Sequence, residues 1–178
     1  MTASRDLVQL RAAEPADCRQ LATVQLASAL AAFAHIFPKS VDEPRLEELE
    51  AEWEALVGTP GVSVLAGERK AAGGIVAGVA FGDVPTLAPP GYGLLARLYV
   101  LPEYSGEGIG TLLYDAAIEQ ITRAGWERLW LWVLEGNTTA RNMYERRGWT
   151  AQPVRRTDWP GSEVYEMGYA IELAPSST

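Results

Sequence analysis

The chain has 178 residues, of which 48% are hydrophobic, and its 15 basic and 23 acidic side chains give a formal charge of −8. This length supports one sizeable core, and the even composition predicts a single domain over residues 1–178. The acidic balance argues against nucleic acid as the main partner, because a phosphate backbone binds a concentrated basic face.

Cysteine and histidine are scarce, since Cys18 and His35 are the only representatives of their types. An intramolecular disulfide therefore cannot form, and a metal site built from His and Cys is not expected. The N-terminal residues lack an apolar signal core, and no run approaches the roughly 18 apolar residues that a membrane span needs. We expect a cytoplasmic protein with no membrane partner and no bound metal.

The first half of the chain predicts a strand, two helices and two further strands. Alternating side chains favour a short strand over residues 7–11, and Pro15 with Asp17 marks the start of a helix that runs to about residue 33. Pro44 begins a second helix, rich in glutamate, that ends near residue 56. Apolar runs predict strands over residues 62–66 and 74–81. The polar loop between these two strands is predicted at Glu68, Arg69 and Lys70.

The second half alternates strands and helices before two closing strands. Strands are predicted at residues 93–101 and 129–134, each followed by a helix, to about residue 124 and over residues 137–147. The closing strands are predicted at residues 149–154 and 163–173. This order predicts an α/β protein with a central mixed, mostly antiparallel sheet of about seven strands, flanked by about four helices.

A glycine-rich turn follows the fourth predicted strand. Gly106, Gly108 and Gly110 free the backbone at alternate positions, and a helix follows directly. The unpaired amides and the positive dipole end at such a helix start form an anion site. A P-loop would need a lysine that is absent here, and a dinucleotide site would need an acidic residue at the end of the next strand.

Residues 93–149 resemble the GNAT superfamily of acyl-CoA-dependent N-acetyltransferases. The turn alone is common among proteins, but the turn combined with the later helix motif is specific. The matching motifs are Leu98-Tyr99-Val100-x-Pro102-Glu103-Tyr104, Gly106-x-Gly108-Ile109-Gly110, Leu112-Leu113 and Asn137-x-x-Ala140-x-x-x-Tyr144-x-x-x-Gly148-Trp149.

The resemblance implies a GNAT-like fold and a role for each matching residue. Tyr144 would protonate the departing CoA thiolate as general acid, and Asn137 would bond the cofactor. The strand Leu98, Tyr99 and Val100 would bind the pantetheine arm through the backbone groups of Leu98 and Val100. The pyrophosphate would bind the amides of Ser105, Gly106, Glu107, Gly108, Ile109, Gly110 and Thr111.

The implied reaction moves an acetyl group from acetyl-CoA to a primary amine of a small molecule or peptide. The alternative is a non-catalytic CoA-binding or interaction domain of the same fold. Ser105 and Glu107 depart from the family, which usually carries Arg or Gln at the first position and often a basic residue at the second. Relatives commonly dimerise, so a homodimer is possible.

The general base is left open by the sequence. Some family members place a glutamate at the position of Leu94, so the candidates here are Asp83, Glu103 or a chain of waters. The acceptor site is equally open. Its candidate lining residues are His35, Trp53, Trp159 and Tyr165.

Overall fold

The computed structural model describes residues 7–33, 35–71 and 73–173. In that part of the chain, four helices flank a seven-stranded mixed sheet of order β1-β2-β3-β4-β5-β7-β6, which confirms the predicted fold class. The helices are α1 (Cys18–Phe33), α2 (Leu46–Gly58), α3 (Ile109–Arg123) and α4 (Thr138–Arg146). The strands are β1 (Val8–Ala12), β2 (Val62–Arg69), β3 (Ile75–Gly82), β4 (Gly93–Val100), β5 (Arg128–Leu134), β6 (Thr150–Arg156) and β7 (Glu166–Glu172).

The predicted loop at Glu68, Arg69 and Lys70 is wrong for its first two residues, which belong to β2. Glu68 pairs with Gln9 across the sheet, so its polar side chain lies on an outer strand pair. The chain reverses only afterwards, where the amide of Arg69 donates to the carbonyl of Gly74. The polar side chains of Glu68 and Arg69 thus mark a half-buried strand end rather than a turn.

Two hydrophobic clusters cover opposite faces of the sheet. One cluster joins α3 to alternate residues of β5, among them Leu129, Leu131 and Val133. The other joins α1 and α2 to β2 and β3, with Trp53 of α2 fully buried at its centre. Because strand side chains alternate, Trp130, Trp132 and Leu134 point to the face that carries α1 and α2.

The sheet opens between β4 and β5. These strands are parallel, and within the described residues they pair only at Gly93 with Leu129 and at Leu94 with Trp130. Beyond that point β4 carries a bulge, because its pairing to β3 shifts between Ala80 and Phe81. A bulge bends its strand and increases its twist. We call the gap between residues 95–100 of β4 and residues 131–134 of β5 the β4–β5 opening.

Arg97 holds both helices of one face against β4 beside the bulge. Its guanidinium donates to Gln25 of α1 at 2.6 Å and to Glu52 of α2 at 2.5 Å. The same group lies over the Trp53 ring, 5.5 Å from its centroid. Only 19% of the Arg97 side chain is exposed, so water screens these contacts less than at an open surface. The bulge is therefore braced from the helix side.

A second ion pair ties β1 to the start of α1. The guanidinium of Arg11 donates to both carboxylate oxygens of Asp17, at 2.6 and 2.9 Å. Asp17 also accepts from the amide of Glu14 at 2.8 Å. The hydrogen bonds from Arg11 lower the pKa of Asp17, although its burial acts in the opposite sense. A charged Asp17 thus stabilises the fold.

Candidate functional site

The glycine turn lies at the end of β4 that borders the opening. Gly106 and Gly108 have φ of 84° and 80°, in the left-handed region that favours glycine. In the turn, the amides of Tyr104, Ser105 and Glu107 donate hydrogen bonds to backbone carbonyls. Among the described residues, the other amides around the start of α3 have no acceptor. The amides without an acceptor there are those of Gly106, Gly108, Ile109, Gly110 and Thr111.

The amides of Leu98 and Val100 point into the opening. The amide of Leu101 donates to Val76 of β3, and the hydrogen-bonding groups of a strand alternate in direction. Residues one and three positions earlier therefore face away from β3, toward the gap where β5 has separated. The carbonyl of Val100 there accepts from the hydroxyl of Ser28 at 2.7 Å. This edge can accept an extended ligand as an added strand would.

Tyr144 lies in the core cluster beneath the opening. Its side chain is buried, and its ring meets Trp149 edge-on with centroids 5.8 Å apart. The hydroxyl has no hydrogen-bond partner in the part of the chain that the structure describes. Burial raises the pKa of Tyr144 well above its usual value, and the neighbouring phenols of Tyr114 and Tyr99 act in the same direction. The phenol is therefore protonated at neutral pH.

Asn137 begins α4. Its side-chain oxygen accepts from the amide of Ala140 at 3.1 Å, which is the usual N-cap bond. The cap uses one of the two acceptor positions of that oxygen and leaves the side-chain nitrogen available to donate. A role in binding the cofactor stays a prediction.

Arg147 brings a positive charge to the glycine turn. One of its nitrogens donates to the Thr111 hydroxyl at 3.0 Å, and its guanidinium lies 4.9 Å from the centroid of the Tyr114 ring. Thr111 is in the first turn of α3, beside the amides without acceptors. The sequence predicts Arg146, Arg147, Arg155 and Arg156 at the surface, with one of them as a candidate for the CoA 3′-phosphate. No pattern in it predicts which helix end approaches which turn.

A half-buried carboxylate on β7 lies beside the end of β5 that borders the opening. Glu166 pairs in register with Leu134 at the end of β5 and with Arg156 of β6. Its carboxylate accepts from Arg156 at 2.7 Å, and 17% of its side chain is exposed. The Arg156 guanidinium also lies 4.6 Å from the centroid of the Trp132 ring. Glu166 is a candidate that the sequence reasoning missed, since one glutamate in a predicted strand carries no signal.

The charge of Glu166 acts on the phenol of Tyr99 in β4. Burial raises the pKa of Glu166, while Arg156 and the more distant Arg97 oppose that rise. The pKa of Tyr99 is raised by burial first, and Glu166 adds to it. Because Tyr99 also acts on Tyr144, the Tyr99 phenol lies within electrostatic range of both other groups. Electrostatic interactions thus connect Glu166 to Tyr99 and Tyr99 to Tyr144.

The loop after α1 packs against the far side of the opening. The Phe37 ring meets Trp159 edge-on at 4.9 Å between centroids. A Cβ on Gly136 would lie 3.1 Å from the Ile36 side chain, so the loop also touches the chain after β5. His35 is exposed. The loop that follows α1 thus bridges to the loops at the ends of β5 and β6.

Trp53 and Tyr165, two of the predicted acceptor-site residues, differ in burial. Trp53 is fully buried beneath Arg97, so it supports the acceptor side of β4 without lining a surface. Tyr165 is half-buried, and its ring carries the guanidinium of Arg155 at 4.1 Å. A direct contact with an acceptor stays a prediction for Tyr165 and for Trp159.

The structure separates the proposed bases. Asp83 follows Gly82, which pairs with Leu94 at the closed end of β4 and β5, so Asp83 lies away from the opening. Glu103 is exposed in a short 3-10 turn (Pro102–Tyr104) after β4. Leu94 is 1% exposed and lies in the paired part of β4, where a substitute side chain would not reach the opening. None of these positions offers a buried carboxylate at the opening.

Within residues 7–33, 35–71 and 73–173, no helix is both long and apolar enough to cross a bilayer. In the same part of the chain, no three His, Cys, Asp or Glu side chains gather closely enough to hold a metal ion.

A family model described as the Acetyltransferase (GNAT) family matches residues 26–149. A [Ribosomal protein bS18]-alanine N-acetyltransferase of Haemophilus influenzae is 38% identical over 66 residues, which are 37% of this chain and 44% of that protein. The Escherichia coli K12 protein with the same description is 30% identical over 79 residues, covering 44% and 53% of the two chains. The matched segment thus spans about half the length of these curated relatives.

The fold is also found among solved structures. The crystal structure of the PaiA N-acetyltransferase from Thermoplasma acidophilum in complex with coenzyme A superposes with a TM-score of 0.70. That match covers 93% of this chain and 99% of the other, at 19% sequence identity. At this identity the likeness concerns the fold.

Proposed function

Because the chain belongs to the acetyltransferase (GNAT) family, we propose that it transfers an acetyl group from acetyl-CoA to a primary amine. The observation that carries this proposal is the β4–β5 opening. Two parallel strands separate after two residue pairs, and the gap between them is bordered by free strand amides and a buried phenol. An extended thioester and an amine can meet in such a gap.

The residues at the opening fit the chemical parts of acetyl-CoA. Amides without acceptors at Gly106 and Gly108–Thr111 suit a pyrophosphate at the positive end of α3. The amides of Leu98 and Val100, which face away from β3, suit the carbonyl groups of a pantetheine arm. Acetyl-CoA supplies an activated acyl carbon, which neutral amines attack directly. Arg147 adds a positive charge beside the turn, where Glu107 adds a negative one.

Tyr144 would act on the sulfur that leaves. A phenol with a raised pKa remains protonated at neutral pH, so it can donate a hydrogen bond to the developing thiolate. Complete transfer would leave a phenolate, which the same burial disfavours. Tyr144 must therefore regain a proton from the amine nitrogen as it gives its own to sulfur. The phenol works as a relay, and the net proton comes from the substrate.

The acceptor proposed first is the α-amine of a peptide that begins with alanine. The curated relatives are described as alanine N-acetyltransferases that act on ribosomal protein bS18, although each is matched over only about half of its length. Phe37 and Trp159, from the loops after α1 and β6, form an open surface rather than a closed pocket, since both rings are only half-buried. A flexible peptide end could enter between them.

The test is release of CoA thiol from acetyl-CoA across a panel of amines. The panel contains an alanine-initiated peptide, its N-terminally blocked form, spermidine and glycinamide. We expect thiol release with at least one free amine and none with the blocked peptide. If acetyl-CoA raises the melting temperature but no amine is acetylated, the alternative of a non-catalytic CoA-binding domain is correct.

We also propose a cytoplasmic location and a homodimer. Relatives of this fold commonly dimerise, and in the described part of the chain β6 is an outer strand of the sheet. Analytical ultracentrifugation with and without acetyl-CoA tests the oligomeric state. A monomer at every concentration would remove the homodimer.

A further inference from the structure

We propose that Glu166 is the general base of the reaction, which removes a proton from the substrate ammonium on the side of the opening opposite Tyr144. This inference rests on the proposed acetyl transfer. It assigns a residue to the one chemical role that neither the sequence motifs nor the family match supplies.

The first support is position. Glu166 pairs with Leu134, the last residue of β5, where β4 and β5 have separated. Its side chain shares a sheet face with Trp132, because the two positions are two residues apart along the paired strands. Tyr99 of β4 packs with the cluster of α1 and α2 on that same face. Glu166 therefore borders the opening on the α1 side.

The second support is the separation of tasks. Tyr144 belongs to the cluster on the α3 side of the sheet. Two protons leave the nitrogen: Glu166 takes the first from the ammonium before attack, and Tyr144 relays the second to sulfur as the C–S bond breaks, so the two groups serve different steps from different sides of the opening. Tyr99 of β4 packs with the cluster of α1 and α2, while Leu98 and Val100 of the same strand pack with the cluster that contains Tyr144, so β4 presents side chains to both sides at the opening.

The third support is the environment of the carboxylate. Arg156 holds Glu166 at 2.7 Å and keeps its orientation fixed. Burial raises the pKa of Glu166 and makes it a stronger base than an exposed glutamate, while Arg156 limits that rise. The other charged groups that act on it are Asp158, which raises the pKa, and Arg97, which lowers it. The carboxylate is thus tuned by two cations and one anion.

The proton balance needs such a group. An ammonium brings three protons: one remains on the amide nitrogen, one ends on the thiol of CoA, and one goes to water. Glu166 takes this last proton, which frees the nitrogen lone pair. The C–N bond then forms, the C–S bond breaks, and Tyr144 delivers a proton to sulfur while it receives one from nitrogen. Glu166 finally returns its proton to the solvent.

The test compares Glu166→Gln and Glu166→Asp with the wild-type protein between pH 6.5 and 9.5, using the panel amine that the wild type acetylates fastest. At pH 7 we expect kcat/KM of Glu166→Gln to fall by about 100-fold. The deficit should narrow as pH rises, because the solution then supplies neutral amine without a base. Glu166→Asp keeps a carboxylate, so it should stay within about tenfold of the wild type.

The matched control is Glu163→Gln, which removes an exposed glutamate three residues upstream and should leave the profile unchanged. A deficit of Glu166→Gln that is constant across pH would indicate a structural role and overturn the assignment. An activity of Glu166→Asp as low as that of Glu166→Gln would also overturn it. If the wild-type protein itself acetylates no amine, the proposed function fails before Glu166 is at issue.

Discussion

Removing one hydroxyl group from Tyr144 separates catalysis from stability. In Tyr144→Phe the ring keeps its edge contact with Trp149, whose centroid lies 5.8 Å away. The hydroxyl that is lost has no hydrogen-bond partner among the described residues, so no protein group loses its bond. The perturbation is therefore confined to the proton that Tyr144 donates.

The variant should lose rate but keep its stability. The Tyr144 hydroxyl has no hydrogen-bond partner among the described residues, so its removal should change the free energy of unfolding by no more than about 1 kcal/mol. Loss of a positioned acid lowers the rate by about 100-fold or more. That rate loss corresponds to about 2.7 kcal/mol in the activation free energy.

Tyr114→Phe is the matched control. The Tyr114 hydroxyl accepts from the Trp149 indole nitrogen at 2.8 Å in the buried core. Loss of this hydroxyl leaves the indole N–H of Trp149 without an acceptor and should cost about 1–3 kcal/mol of stability. In a chain of this size the melting temperature should fall by about 2–4 °C per kcal/mol. The rate at saturating acetyl-CoA should change by less than about threefold, since Tyr114 is assigned no proton transfer.

The assay measures thiol release under saturating substrates together with thermal unfolding of the same samples. The two variants should show opposite patterns: Tyr144→Phe should be slow but as stable as the wild type, and Tyr114→Phe should be active but less stable. Full activity in Tyr144→Phe would refute the role of the phenol. A loss of stability in Tyr144→Phe that matches its loss of rate would show that the hydroxyl has a structural partner.

Three further changes test the turn, an ion pair and the core. In steady-state kinetics, Arg147→Gln should raise the KM for acetyl-CoA about tenfold with kcat little changed, because the positive charge beside the proposed pyrophosphate site is lost. The control Arg123→Gln, at an exposed arginine, should leave this KM unchanged. Asp17→Asn should lose about 1–3 kcal/mol at pH 7 in urea unfolding. The pKa of Asp17 is lowered in the folded protein, so the difference in free energy of unfolding between wild type and variant should be complete above the unfolded pKa of about 4 and should shrink as pH falls below it. A difference that persists at pH 2 would contradict the ion pair. Gly168→Ala should lower the melting temperature by several degrees, because the new Cβ would lie 2.2 Å from the Trp130 ring, and an unchanged melting curve would show that the ring moves freely.

The turn and its helix were predictable from the sequence because their cause is local. Positive φ at Gly106 and Gly108 requires glycine, and the helix start follows from apolar spacing within one segment. The strands of the core were predictable for the same reason, since β3 is buried throughout and reads as a continuous apolar run.

The opening and its acceptor side depend on contacts between distant segments. The bulge in β4 is recorded only by its register against β3, and no residue type there announces it. Glu166 became a candidate only because β7 lies beside β5 in the sheet and Arg156 arrives from β6. A polar residue is equally compatible with a loop, which is why Glu68 was misassigned, and a single glutamate inside the predicted strand over residues 163–173 carries no signal that would distinguish Glu166.

The central claim is that acetyl-CoA and a primary amine react at the β4–β5 opening. The most direct measurement counts, in one reaction, the thiol released from acetyl-CoA and the acetylated amine found by mass spectrometry. The account predicts equal amounts of both products, formed by the wild-type protein and strongly reduced in Tyr144→Phe. Thiol release without an acetylated amine, or equal rates in the two proteins, would contradict it.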